Sequence, residues 1–472
     1  MSKRFFFLGF VLLLGLPLMA QRQVGHTEYV VTTSPSSIDS LDHRHGLSFQ
    51  STVWHNPNYG YAVFQVTDPS SRDSAQLQAQ LKADSATISF EPNQVVQLPE
   101  LSGTTSAALA QSTEGILDTL PGRTLVSFNG VSVPSNYVDQ PATTIIRWRD
   151  AMQASGLTGA GTVALIDTGV DPNHPALAPV LVAGFDFTRN QAGASELADL
   201  NPNVAASLSQ STEGILDSNH VFQLSSSTLA ILTQSTEGIL DGTPPGFGHG
   251  TMTAGLVHLI APDSKIMPLK AFNIDGTSDI ANIIRAVYYA VDHGADIISM
   301  SFEIVQESPG LSGAVDYAID HGVLVIAAAG NDGWQSAVYP AADEGVIGIG
   351  STNNNDQRST FSNYGSPDVN FAAPGEGVIS TYPGNHYAAG WGTSFSAPIV
   401  AGAAALLFQN HHDSSSLQCS VMQALAHAVQ VPQMGLGRID LYQALTARGP
   451  ALGFSDPSCE PSREDGSRRR PD

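Results

Sequence analysis

Between residues 162 and 326 the chain repeats one arrangement that leaves few folds open: short, unbroken apolar runs separated by apolar residues at helical spacing. Thr162-Val163-Ala164-Leu165-Ile166 is the first run and ends in Asp167-Thr168-Gly169; Ile297-Ile298-Ser299-Met300 and Val323-Leu324-Val325-Ile326 follow. Runs that are short and apolar throughout suit strands buried on both faces, as in a parallel sheet. Ahead of the second run, Ile283, Ile284, Val287 and Val291 predict a helix that stops at His293-Gly294. Ahead of the third, a helix around Val315 to Ile319 stops at His321-Gly322. Strands alternating with helices imply right-handed crossovers, and so an α/β fold with a mostly parallel sheet covered on both faces. Ligands of such sheets bind beyond the carboxyl ends of the strands, where Asp167, Ser301 and Asn331 fall.

Three segments there carry reactive side chains: Val163 to Asp171, Gly248-His249-Gly250-Thr251, and Gly392-Thr393-Ser394-Phe395-Ser396-Ala397-Pro398. Peptide hydrolysis by a serine needs a base to take its proton and a carboxylate to hold that base. Asp, His and Ser in this chain order are one of the known orders for that geometry. Ser394 opens an apolar helical run from Ile399 to Leu407, which places its hydroxyl beside unpaired backbone N–H groups. Asn331, after Ala327-Ala328-Ala329-Gly330, supplies an amide as a further oxyanion donor. Singly, such an Asp is a turn residue and such a Ser an N-cap; their joint occurrence with His249 and Asn331 makes the case.

These segments resemble the subtilase family closely, over about Trp148 to Leu445. The resemblance includes Tyr339-Pro340, where the family has a cis-proline, and a closing Gly435-Leu436-Gly437-Arg438-Ile439-Asp440. It implies a three-layer subtilisin-like fold and a secreted serine endopeptidase acting through an acyl-enzyme, with Asp167, His249 and Ser394 as triad and Asn331 in the oxyanion hole. It also implies a zymogen: residues 21–100 resemble the family's inhibitory propeptide, and Glu91 to Val96 its closing strand. In that stretch the pattern predicts β-α-β-α-β, an α+β open sandwich. Tyr29-Val30-Val31, Tyr61 to Val66 and Ala86 to Phe90 are the strands, and Ser37 to Leu47 and Ser74 to Ala83 the helices. The alternative is a catalytically silent binding scaffold that keeps the fold with a blocked cleft.

Around this core the organisation follows from composition. Residues 1–20 pair Lys3 and Arg4 with an apolar run and end at Ala20, the pattern of a secretory signal peptide. No later segment is long and apolar enough to span a membrane, so a soluble, secreted or periplasmic monomer is expected. Ser, Thr, Gly and Pro mark 101–140 as a linker, 141–448 is the expected catalytic domain, and 449–472 a disordered tail. A net charge of -23, from 43 acidic and 20 basic residues, argues against nucleic acid and anionic membranes as partners. The expected partners are protein or peptide substrates and the propeptide itself. Cys419 and Cys459, the only cysteines, form one disulfide in an oxidising compartment or remain two thiols.

Four departures from the family pattern matter. Met300-Ser301-Phe302-Glu303-Ile304 stands where a Ser-Leu-Gly-Gly type sequence is usual, making Ser301, Phe302 and Glu303 the candidate substrate-binding residues. Glu303 either places a carboxylate near the specificity pocket or points to solvent. Met252 replaces a histidine that many relatives carry outside the triad. Ala176 replaces an Asp that ligates calcium in some relatives, so no metal ligand is assigned; catalysis of this type requires no cofactor, and structural calcium elsewhere is left open. Finally, Asp167 and His249 are 82 residues apart, which implies an insertion at about 190–243. It holds two copies of Gln-Ser-Thr-Glu-Gly-Ile-Leu-Asp, at 210–217 and 234–241, and a third copy occupies 111–118 of the linker.

Overall fold

The computed structural model describes residues 28–70, 72–99, 115–116, 124–200, 244, 246–365, 367–411 and 417–447. The leader, the tail and the two repeats of the insertion lie outside the described residues.

An amino-terminal unit comprises β1 (Glu28–Thr33), α1 (Ile38–His45), β2 (Ser48–His55), β3 (Ala62–Thr67), α2 (Ser74–Lys82) and β4 (Thr87–Pro92). Its strands pair antiparallel in the order β2-β3-β1-β4. Tyr29, Val31, Phe64 and Val66 pack on Leu41, Leu77 and Leu81 of the two helices. Asp73 starts α2 by accepting from the N–H groups of Ala75 and Gln76. The predicted β-α-β-α-β order lacks β2. The first half of that strand is mostly exposed and polar apart from an exposed Phe49, so it shows no hydrophobic alternation, and only pairing with β3 makes it a strand. The single closing strand predicted over Glu91 to Val96 divides at Asn93 into β4 and β5 (Val95–Gln97).

Next come β6 (Gly115–Ile116), from the first repeat, and a hairpin of β7 (Leu125–Phe128) and β8 (Val131–Pro134). Phe128, Val133, Tyr137 and Val138 are buried in the main core. The linker expected to run to 140 therefore ends before this hairpin. Two four-residue strands among Ser and Pro are too short to show a period against that composition.

The main sheet has eight strands: β9 (Thr162–Asp167), β10 (Phe185–Asp186), β11 (Gln191–Ala192), β12 (Lys265–Lys270), β14 (Ile297–Met300), β15 (Leu324–Ala328), β16 (Ile347–Thr352) and β17 (Phe371–Pro374). Their order is β11-β10-β12-β9-β14-β15-β16-β17, and every pairing but β10 with β11 is parallel. Alternation along the strands divides the interior in two. Val163, Leu165, Leu324 and Ile326 face a core shared with α3 (His249–Ile260) and α6 (Thr393–His411). Ala164, Ile166, Val325 and Ala327 face a second core with α4 (Ile280–Asp292) and α5 (Pro309–Asp320). This is the predicted three-layer arrangement. Outside the sheet lie β13 (Thr277–Asp279) and a ribbon of β18 (Glu376–Tyr382) and β19 (His386–Trp391), whose edge takes β6 as a third strand. The Tyr339–Pro340 peptide is cis.

The amino-terminal sheet turns its second face to α4 and α5. Trp54 stacks on Tyr288 with centroids 4.1 Å apart, and its Nε1 donates to Asp292 at 3.0 Å. Glu91 accepts from Ser308 Oγ and Gly310 N–H at the start of α5, and Asn93 Oδ1 accepts from Ala281 N–H at the start of α4. These contacts satisfy N–H groups that a helix leaves unpaired. β5 then pairs antiparallel with β13, and Leu98 N–H donates to Gly276 O at 3.0 Å. Cys419 is disulfide-bonded, and Cys459, the one other cysteine, lies outside the described residues. No helix among the described residues is long and apolar enough to cross a membrane.

Candidate active site

Three adjacent strands, β9, β14 and β15, deliver their carboxyl ends to one place, with Asp167, Ser301 and Asn331 at or just past those ends. Two helices complete it: α3 begins at His249, and Ser394 is the second residue of α6. His249 Nδ1–H donates to Asp167 Oδ1 at 2.7 Å. The Asp167 carboxylate also accepts from Thr168 N–H at 2.6 Å and from Thr253 Oγ1 at 3.1 Å. Holding Nδ1 in this way fixes the tautomer and leaves Nε2 to accept a proton. The His249 ring lies 5.5 Å from that of Phe395, next in sequence to Ser394.

Close backbone approach brings the two segments together. A Cβ at Gly250 would lie 2.0 Å from Gly169 O, so any larger residue would push α3 away from the Asp167 turn. On the opposite side, Asn331 Oδ1 accepts from Thr393 N–H and Thr393 Oγ1, both at 2.9 Å. That fixes the amide orientation and turns Nδ2 the other way. Ser394 Oγ donates to Ser301 O at 3.3 Å, and Ser301 Oγ donates to Ser394 O at 3.0 Å. Asp167, His249, Asn331 and Ser394 are all buried.

The three candidate substrate-binding residues separate. Ser301 buttresses Ser394. Phe302 is fully buried in the core against Phe272, at 5.3 Å between centroids, so its side chain packs in the core. Alternation explains this, since Phe302 shares the inner face with Met300. Glu303, for which sequence left two orientations open, is 5% exposed and does not point to solvent. A Cβ at Gly330 would lie 1.9 Å from Glu303 Oε2 and 2.4 Å from Asn363 Nδ2. The carboxylate is therefore packed against the backbone of Gly330, next to Asn331.

Threonines missed by sequence reasoning hold the site: Thr168 and Thr253 on Asp167, and Thr393 on Asn331. Thr168 and Thr393 lay within the motifs, and their proximity was the available signal. Glu196, buried behind them, had none. Among the described residues no group of three or more His, Cys, Asp or Glu side chains is placed to hold a metal ion.

The three-layer fold with this constellation at its strand ends defines a peptidase of the subtilisin type, and comparison with known proteins agrees. The chain belongs to the subtilase family, peptidase S8, whose sequence profile matches residues 159–434. Thermitase of Thermoactinomyces vulgaris is 31% identical over 302 residues, which cover 61% of this chain and 89% of thermitase. A thermophilic serine proteinase of Bacillus sp. strain AK1 is 31% identical over 288 residues, covering 60% of this chain and 61% of the relative. Among solved structures, fervidolysin of Fervidobacterium pennivorans superposes with a TM-score of 0.60 at 19% identity, over 90% of this chain and 61% of its own. The epidermin leader peptide processing serine protease of Staphylococcus aureus gives 0.58 at 18%, over 89% of this chain and 99% of its own. At those identities the likeness is one of fold.

Proposed function

We propose that the chain is a secreted serine endopeptidase made as a self-processing zymogen. The 2.7 Å bond from His249 Nδ1 to Asp167, with the His249 ring 5.5 Å from that of Phe395, which follows Ser394 at the start of α6, carries this reading. Ser394 Oγ attacks the scissile carbonyl carbon while His249 Nε2 takes its proton, and Asp167 stabilises the imidazolium. The developing oxyanion is held by the Asn331 amide and by backbone N–H groups at the start of α6. His249 then protonates the departing amine, leaving an acyl-enzyme on Ser394. Water, deprotonated by His249, hydrolyses it. Side chains and backbone N–H groups of the chain, with one water, carry every step, and this mechanism requires no cofactor.

The amino-terminal unit acts in this reading as the inhibitory propeptide. Its support is the pairing of β5 with β13, the capping of α4 and α5 by Asn93 and Glu91, and the burial of all four reactive side chains while the unit is in place. The apolar leader supports export. Glu303, packed on Gly330 beside Asn331, supports a preference for basic residues next to the scissile bond. Digestion of a diverse peptide mixture beside a Ser394→Ala control tests the reading. Cuts present with the wild type and at least ~10^4-fold slower with the variant are expected. Equal cutting by both proteins would sink it, and cutting by neither would favour the scaffold alternative.

A further inference from the structure

One charged group behind the reactive residues is left over once the motifs are accounted for. Glu196 is fully buried and opens a short 3-10 turn, Glu196–Asp199. Its Oε2 accepts from Gly248 N–H at 2.7 Å and from Thr168 Oγ1 at 3.3 Å; Oε1 accepts from Thr251 Oγ1. Thr168 follows Asp167, while Gly248 and Thr251 bracket His249. The Thr168 hydroxyl in turn accepts from Gly250 N–H at 3.0 Å. Both segments that carry the Asp–His pair thus converge on one carboxylate.

Holding a helix start does not require a charge, because a neutral side-chain oxygen caps as well. A fully buried carboxylate is costly, so the charge itself calls for a role. The groups facing it are Asp167, which repels it, and Lys270, which attracts it. Lys270 is itself fully buried; its Nζ donates to Thr168 O and Phe272 O and pairs with Asp199 at 2.8 Å. Asp199 also pairs with Arg189. His249 belongs to the Gly248–Thr251 turn whose two ends Glu196 holds. Burial, opposed by these hydrogen bonds and by Lys270, pushes Glu196 up to about 7.

We propose that Glu196 is a positioning residue for the triad, tying the Asp167 turn to the first turn of α3 and adding negative charge that supports the imidazolium form of His249. This rests on the serine-peptidase reading, in which the proton leaves Ser394 Oγ for His249 Nε2. Loss of the charge lowers the affinity of His249 for that proton, so the acid limb of kcat/KM moves to lower pH. The test measures kcat and KM against pH for the wild type, Glu196→Gln and Glu196→Ala on one peptide substrate. Glu196→Gln keeps an oxygen for Gly248 N–H and loses the charge. Its acid limb is expected about half a pH unit lower, less than full coupling allows because the two groups titrate together. Glu196→Ala, which also lets go of the segments, should lose about tenfold in kcat with KM unchanged. Should Glu196→Gln not fold, Thr251→Val serves instead: it removes one donor to the carboxylate, and a smaller shift in the same direction is expected. An acid limb at the wild-type position in the folded variant overturns the proposal. Absence of Ser394-dependent hydrolysis in the wild type is a separate result, seen before any Glu196 variant is made, and takes this inference down with the reading beneath it.

Discussion

The two sheets of this molecule bury their faces differently. In the eight-stranded sheet, β9, β14 and β15 place alternate residues in two cores, one on each face, both closed by helices of the same body. The four-stranded sheet covers only one face with its own helices, through Tyr29, Val31, Phe64 and Val66. Its other face, Val30, Val53, Trp54 and Val63, joins the core of α4 and α5. A sheet enclosed by its own body can hold reactive groups at its strand ends against displacement. The small unit draws part of its buried surface from the partner it covers, so its docking and its stability are linked.

The largest effect should come from the rigid side. If Asn331 is held by Thr393 only to serve the transition state, Asn331→Ala should lower kcat by about 10²- to 10³-fold and leave KM nearly unchanged. That magnitude is the one this family's oxyanion donors have shown. Thermal unfolding should barely move, since the enclosed sheet keeps its packing. A raised KM at constant kcat would mean that the amide binds substrate instead.

From the docked side comes the next. Trp54→Ala removes the ring stacked on Tyr288 and the bond to Asp292. Truncation of a buried Trp costs about 3 kcal/mol or more, so if the amino-terminal unit is the proposed inhibitory propeptide, inhibition of the processed enzyme by the added unit should weaken at least about 100-fold. Unaltered inhibition would break the comparison, because the unit would then be shown to dock without its second face.

The contrast also governs what was legible in the sequence. Strands of the enclosed sheet announce themselves as apolar runs, and the residues after them are where open α/β sheets do chemistry, so Asp167, Ser301 and Asn331 could be placed from pattern alone. β2 was illegible because half of it faces outward and gains its structure from β3. The β7–β8 hairpin was hidden by its Ser- and Pro-rich composition. The side-chain direction of Phe302 was not legible, because position past a strand end does not say which face a side chain takes. Glu196 was illegible for a deeper reason. It lies 29 residues after Asp167 and 53 before His249, and only the tertiary fold brings it between them.

Glu303 offers a smaller effect and a sharper view of the rigid side. Its carboxylate is enclosed against Gly330, so neutralising it in Glu303→Gln should change which residues are accepted without unfolding the cleft. The ratio of kcat/KM for basic over large apolar residues at the scissile bond should fall by about tenfold. An unchanged ratio would reduce Glu303 to a packing residue like Phe302.

The smallest effect concerns acid stability and separates the two cores by their chemistry. Among the described residues of the amino-terminal unit no histidine is buried, whereas His174 and His258 are buried in the main body beside its α3 core. Both are lowered from about 6.5 to about 4, chiefly by burial, with proximity to His174 contributing at His258. The folded state therefore binds fewer protons than the unfolded chain between these values, and the stability present above pH 6.5 is lost progressively as pH falls to 4. Asp343 and Asp368 are pushed up by burial, to about 6 and about 7, and work in the opposite sense, losing stability as pH rises. A difference between variant and wild type cancels their contribution. His258→Leu keeps an apolar group against Phe128 and removes one of the two histidine protonations. Between pH 7 and pH 4 the variant should lose about 1–2 kcal/mol less stability than the wild type, measured by denaturant unfolding at each pH. Parallel losses in the two proteins would place the acid-labile group elsewhere, and a loss confined to the amino-terminal unit would reverse the assignment of which region acid opens first.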